Sequence, residues 1–247
     1  MIQAIIYLVV LCSTIYAGTI DPNTPDSKYV EYGSQFECVA VIDGVYKDNT
    51  LYEGSAVILD DYNFLTAAHV VNDYRKCTVT LKNKKFNINK ILSHPDFKED
   101  FVGYADIAIG HSDEKFGLEY YPTLYEDANE VGKICSISGY GFTGNFNIGA
   151  KIYDGKKRAG SNTIDKIDRD LLVCSPSYRH HDDYTQLEFL IASGDSGGPL
   201  FIDQKIAGIH SLVMTAKKKT ESKYNEESGH TRISKFIKWI KANKKSH

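Results

Sequence analysis

The chain has 247 residues, of which 42% are hydrophobic and 12% aromatic, a length ordinary for two packed cores acting as one functional unit. Formal net charge is −3 with both signs well represented, so there is no basic stripe of the kind that binds nucleic acid or an anionic membrane surface. Five cysteines without a Cys-x-x-Cys pair argue against a zinc or dithiol redox centre.

In chain order, Met1 to Ala17 carries no charged side chain, contains the apolar run Ile5 to Leu11, and ends in the small residues Ala17-Gly18. This reads as a signal peptide cleaved after Ala17, too short to serve as a membrane span. Residues 18–28 follow as an N-terminal, propeptide-like segment. Cys12 lies in the leader, leaving Cys38, Cys77, Cys135 and Cys174, an even number that allows three pairings in an exported chain.

The body reads as all-β. Apolar or alternating runs of four to six residues recur between turn residues: Cys38 to Ile42, Ser55 to Leu59, Thr78 to Leu81, Ile107 to Ile109, Ile134 to Ile137, Leu171 to Val173, Pro199 to Ile202 and Ile206 to Ile209. One amphipathic helix is expected over Ser234 to Asn243, with Phe236, Ile237 and Ile240 on one face and lysines on the other. Leu118 to Asp127 reads as a connection between two halves. Gly141 to Asn162, rich in Gly, Asn and Lys, reads as a surface loop pair beside a cleft. His180 and His181 sit in a polar loop and read as exposed. The lysines at 217–219 and in the C-terminal tail read as solvated faces.

Three segments carry chemistry. Gly194-Asp195-Ser196-Gly197-Gly198-Pro199 surrounds a serine with glycines, which suits a tight turn that exposes a hydroxyl and aims bare N–H groups at one point. A serine hydroxyl needs a base, and histidine has the suitable pKa. Leu65-Thr66-Ala67-Ala68-His69-Val70 offers one. Ala105-Asp106-Ile107-Ala108-Ile109 offers an acid between apolar residues, which would need a partner if buried. His69, Asp106 and Ser196 are therefore the candidate base, orienting acid and nucleophile, in the order His, Asp, Ser.

These three motifs together resemble those of the trypsin/chymotrypsin-like serine endopeptidases. Weaker matches accompany them: Gly54 to Ile58, His94-Pro95-Asp96-Phe97, Ser138-Gly139-Tyr140-Gly141, Gly208-Ile209-His210-Ser211, and Thr231-Arg232-Ile233-Ser234 with Trp239-Ile240. The resemblance implies two packed six-stranded Greek-key β-barrels with a C-terminal α-helix. The first barrel would span 29–120 with His69 and Asp106, the second 121–233 with Ser196, and the helix 234–247. It implies a secreted, monomeric endopeptidase that acts on proteins or peptides through an acyl-enzyme, without metal or cofactor.

By the same resemblance, the N–H groups of Gly194 and Ser196 form the oxyanion hole. Ser211 supports Asp106, and Ser211 to Val213 pairs with substrate backbone. The acid that selects Lys or Arg substrates is replaced by Leu190, and Val213 narrows the pocket entrance. Glutamyl endopeptidases and related bacterial-type proteins carry histidine at the position of His210, and some at that of His230. With Ser193 these would hold an acidic side chain, and a small apolar one is second choice. Cysteines usual in vertebrate relatives are replaced by Val70, Ala192 and Ile202. Cys38 would then bridge Cys77 on a neighbouring strand, leaving Cys135 with Cys174. Asp195 would pair with a newly cut N-terminus, at Ile20 or at Tyr29. The competing readings are an inactive scaffold acting as a binding protein, and a lipase or esterase. The second would place its serine before its histidine.

Overall fold

The computed structural model describes residues 18–101, 103–217 and 219–245. The expected leader, with Cys12, and Lys218 lie outside these residues. In chain order the elements are β1 (Thr19–Ile20), α1 (Asp26–Ser34), β2 (Val39–Tyr46), β3 (Leu51–Ile58), β4 (Asn63–Thr66), α2 (Ala68–Val71), β5 (Tyr74–Leu81), β6 (Lys84–Ser93) and β7 (Ala108–Ser112). Then come β8 (Ile134–Gly139), β9 (Thr143–Asn145), β10 (Gly149–Ile152), β11 (Arg158–Thr163), β12 (Lys166–Asp168), β13 (Leu171–Cys174) and β14 (Phe189–Leu190). β15 (Pro199–Ile202), β16 (Lys205–Met214), β17 (Glu227–Arg232) and α3 (Ile237–Asn243) complete the chain.

The first half closes a six-stranded antiparallel barrel in the order β2-β3-β4-β7-β6-β5. Side-chain alternation drives this: on β5, Cys77, Val79 and Leu81 are buried while Lys76 is exposed. Phe86 and Ile88 do the same on β6, between Lys85, Asn87 and Asn89. The polar partners there hide the strand from a search for apolar runs.

The second half has strand order β11-β8-β15-β16-β17-β13-β12. Only Ile164 and Asp165 separate β11 from β12, and they hand the strand from one neighbour to the other. Ile164 N–H bonds the Lys133 carbonyl beside β8 at 3.0 Å, and Asp165 N–H bonds the Val173 carbonyl on β13 at 2.9 Å. Residues 158–168 thus act as one strand that closes a second six-stranded ring.

The N-terminal segment is built into this second half. β1 lies between β9, to which it is parallel, and β14. α1 packs on β11, with Tyr29 fully buried. The Arg158 guanidinium, 4% exposed, grips Asp26 at 2.6 and 2.8 Å and Asp154 at 2.8 Å. Residues 29–34 are therefore helix, and the strands of the first barrel begin at Val39 rather than Tyr29. The expected loop pair at 141–162 holds the β9–β10 hairpin and most of β11. Phe236, just before α3, and Ile240 within it dock on the first barrel's core, where the His94 ring packs 5.0 Å from Phe236 and 4.9 Å from Trp239. Among the described residues no helix is long and apolar enough to cross a membrane.

The four cysteines of the described residues are unbonded in this structure. Cys77 lies on β5 and Cys38 in the turn just before the neighbouring β2, and the register forbids a bond. Val41 faces Thr80 and Gly44 faces Cys77, so Cys38 falls opposite Asn83. That places the two about 20 Å apart along the strands. Cys135 and Cys174 do meet, with sulfurs 3.9 Å apart.

Candidate active site

Asp106 sits where β7 begins, after a backbone kink. Ala105 has φ +47°, a left-handed conformation that costs a residue with Cβ about 1 kcal/mol. The kink turns the carboxylate, 2% exposed, toward the one-turn helix α2. One oxygen accepts the His69 backbone N–H at 2.9 Å. The other accepts His69 Nδ1–H at 2.7 Å and Ser211 Oγ–H at 2.5 Å. Thr231 Oγ1 donates to the Asp106 carbonyl at 2.9 Å, pinning the backbone from the second barrel. Burial alone would push the carboxyl up, but His69 and Ser211 hold it below its ordinary value. Desolvation likewise opposes charge on His69, and Asp106 outweighs it, so the imidazole pKa is raised. Bonding to Asp106 through Nδ1 leaves Nε2 of the partly exposed ring as its free basic atom.

Ser196 enters from the loop before β15. Its carbonyl accepts Ser55 N–H at 2.8 Å, and Ser55 Oγ donates to the Gly194 carbonyl at 2.9 Å, so β3 of the first barrel fixes the loop. Two glycines make this docking possible. Gly194 has φ +90° and Gly197 φ +85°. A Cβ on Gly197 would stand 2.1 Å from Thr66 Oγ1 and 2.3 Å from the Ser55 carbonyl. Among the described residues Ser196 Oγ makes no hydrogen bond to His69. Nucleophile–base contacts are often long without substrate and tighten on binding.

Asp195 is fully buried beneath this loop. It accepts N–H groups from Gly141 at 3.2 Å, Ala192 at 3.2 Å, and Gly18. Burial raises its pKa to about 7 despite these donors. Neither Ile20 nor Tyr29 reaches it. Ile20 pairs with Phe189, and the Tyr29 hydroxyl accepts Asp21 N–H at 3.3 Å.

A cavity of about 190 Å³ opens beside Ser196, walled by Ser193, Ser211, Leu212 and Val213, with Lys151 and Lys219 at its edge. Leu190, His210 and His230, expected in the substrate pocket, are each 0% exposed and lie outside this lining. The two histidines bond each other, Nδ1 to Nδ1, at 2.8 Å. His210 Nε2 must donate to the Ser138 carbonyl at 3.2 Å, so its Nδ1 accepts from His230 Nδ1–H. His230 Nε2 then accepts from Ser228 Oγ at 2.9 Å. Every ring nitrogen is engaged, which leaves none for a substrate carboxylate. Burial depresses both pKa values, to about 3 for His230. Lys151, on β10, and Lys219, after β16, belong to no chemical motif, and only tertiary packing brings them to the cleft.

A family model described as Trypsin matches residues 40–240. Granzyme E of Mus musculus is 30% identical over 223 residues, covering 80% of this chain and 81% of that protein. Among solved structures, HL collagenase superposes with TM-score 0.66 at 20% identity over 84% of this chain and 93% of its own. Neuropsin, a serine protease expressed in the limbic system of mouse brain, gives 0.64 at 19% identity over 84% and 94%. The chain belongs to the trypsin family. It is a serine endopeptidase on a chymotrypsin-like fold of two β-barrels.

Proposed function

We propose that Ser196, His69 and Asp106 hydrolyse peptide bonds as a triad. Ser196 Oγ attacks the scissile carbonyl, and His69 Nε2 takes its proton and later returns it to the leaving amine. Asp106 keeps His69 in the Nδ1–H tautomer and stabilises the imidazolium. The N–H groups of Gly194 and Ser196 stabilise the oxyanion, each donor contributing about 3 kcal/mol to the transition state. Water then releases the acyl group. The observation that carries this reading is the 2.7 Å bond between His69 and a buried Asp106 that Ser211 also holds. An inactive binding scaffold has no need of that network.

The substrate residue on the acyl side is acidic or small. Leu190 stands in place of an acid that would attract Lys or Arg, and Val213 narrows the cavity. An acidic side chain would meet Ser193 and the ammonium groups of Lys151 and Lys219 rather than the histidine pair. Residues 1–17 direct export and are removed, and the exported enzyme acts as a monomer. Removal after Ala17 turns the Gly18 amide beside Asp195 into an ammonium group. The test is Ser196→Ala. Peptide hydrolysis should fall at least about 10⁴-fold, and labelling by a fluorophosphonate should vanish, while the fold is retained. Undiminished hydrolysis would refute the assignment.

A further inference from the structure

Cys135 and Cys174 face each other inside the second barrel, both fully buried, with sulfurs 3.9 Å apart. They come from strands that are not neighbours. Cys135 on β8 pairs with Asn162, and Cys174 on β13 pairs with Ser228. On the other side of β8, the register Leu200–Ile137 and Phe201–Ser136 brings Ile202 opposite Cys135, so no thiol waits there. The Cys135 thiol donates to the Asn162 carbonyl at 3.3 Å, which leaves its sulfur to accept from the Cys174 thiol. Closing 3.9 Å to the ordinary bond length of about 2.05 Å needs side-chain rotation of two short residues on a fixed frame.

We infer that Cys135 and Cys174 form a disulfide across the interior of the second barrel when the chain folds in an oxidising compartment, while Cys38 and Cys77 stay reduced. The inference rests on the expected export of the chain, not on the assignment of the triad. The chemistry is exchange with a small-molecule or oxidoreductase disulfide. One cysteine thiolate attacks the external disulfide and expels a thiolate. The second cysteine then displaces the mixed disulfide, so two protein thiols become one disulfide and the oxidant becomes two thiols. In the folded barrel both thiols are sealed from solvent, and Cys174 is held strongly protonated by its neighbour and by burial. The bond therefore forms before the barrel closes and is slow to reduce afterwards.

The bridge has a place in the site. β8 runs on to Gly141, a donor to Asp195, while Cys174 lies across from Ser228, which supports His230. It would tie together the strands beneath the serine loop, where Val70, Ala192 and Ile202 leave no other cysteine. The loop it closes spans 39 positions, long enough that the oxidised protein should melt roughly 8 °C higher than the reduced one.

The exported protein, refolded in mixed oxidised and reduced glutathione, should show two titratable thiols after denaturation and a Cys135–Cys174 peptide under non-reducing mass spectrometry. In the dithiothreitol-reduced protein four thiols should titrate and the melting temperature should fall. Cys135→Ala should abolish that redox difference, and Cys38→Ala should leave it intact. Four thiols in the refolded protein, a Cys38–Cys77 peptide, or a redox shift that survives in Cys135→Ala would each overturn the inference.

Discussion

The backbone N–H of Gly18 donates to the carboxylate of Asp195, the residue immediately before Ser196. The contact is fixed from both sides. β1 is held between β9 and β14, Thr19 Oγ1 donates to the Ser222 carbonyl at 2.6 Å, and buried Asp21 binds Arg179 and Tyr184 at 2.8 Å each. An amide at Gly18 offers a dipole, whereas a free terminus would offer a full charge in the same place.

That difference sets the first prediction. With Gly18 as an amide, Asp195 has a native pKa of about 7 against 3.8 for an ordinary aspartate. A raised acid binds its proton more tightly when folded, so the stability it contributes is present below 3.8 and is lost as pH rises toward 7. The loss is about 4 kcal/mol. A Gly18 ammonium favours the charged carboxylate and removes it. Urea denaturation between pH 4 and 8 should show the decline in leader-bearing chains and not in chains beginning at Gly18, which alone should be active. Equal activity in both forms would refute the link.

The second prediction concerns Asp106. Asp106→Asn keeps the shape but changes what His69 Nδ1 meets, favouring the wrong tautomer. Activity should fall about 10⁴-fold near neutral pH, the loss that the equivalent change causes in a Ser-His-Asp triad of the trypsin family. Ser211→Ala removes one of three donors to the carboxylate and should cost about tenfold in kcat/KM. The kinetic pKa of His69 should also fall in Asp106→Asn, because the charge that raises it is gone. A kcat/KM profile that keeps its acid limb unchanged would argue against the pairing.

The buried histidine pair gives a prediction of opposite sign. Burial holds His230 down to about 3 in the fold against 6.5 for an ordinary histidine. A depressed base is stabilising as the neutral form above 6.5, and that stability is lost as pH falls toward 3, by about 5 kcal/mol. Replacing both His210 and His230 by Leu should flatten the acid limb of the stability profile below pH 6. If the slope is unaltered in the double variant, the pair is not what titrates.

The pairing of His69 with Asp106 was legible because each expected chemical role demands a residue type within a short motif. The errors lie where a side chain's direction or a strand's offset decides. His210 is expected to hold an acidic substrate side chain, yet Ser211, the extra residue of a bulge in β16, turns toward Asp106 and the cavity while His210 stays paired with His230 on β17. His210 must then point inward, where His230 meets it. Cys77 lies on β5, whereas Cys38 falls in the turn before β2, and the six positions of offset between them cannot be read from composition. β1 has two residues, too few for any periodic signal, and its place depends on β9 and β14 from distant sequence.

Leu190 tests whether substrate choice can be transplanted at a single motif position. It is fully buried on β14, packed outside the cavity lining, and pairs with Thr19. Leu190→Asp would therefore bury a carboxylate without a cation, a change that costs several kcal/mol, instead of presenting it to a substrate. The variant should lose stability and gain no cleavage after Lys or Arg. Lys219→Glu, at the cavity edge, should instead lower kcat/KM for peptides with an acidic acyl-side residue, about tenfold, and leave those with alanine unchanged. A peptide panel differing only at that residue reads both variants. Efficient cleavage after Lys by Leu190→Asp would mean that its side chain reaches the substrate after all.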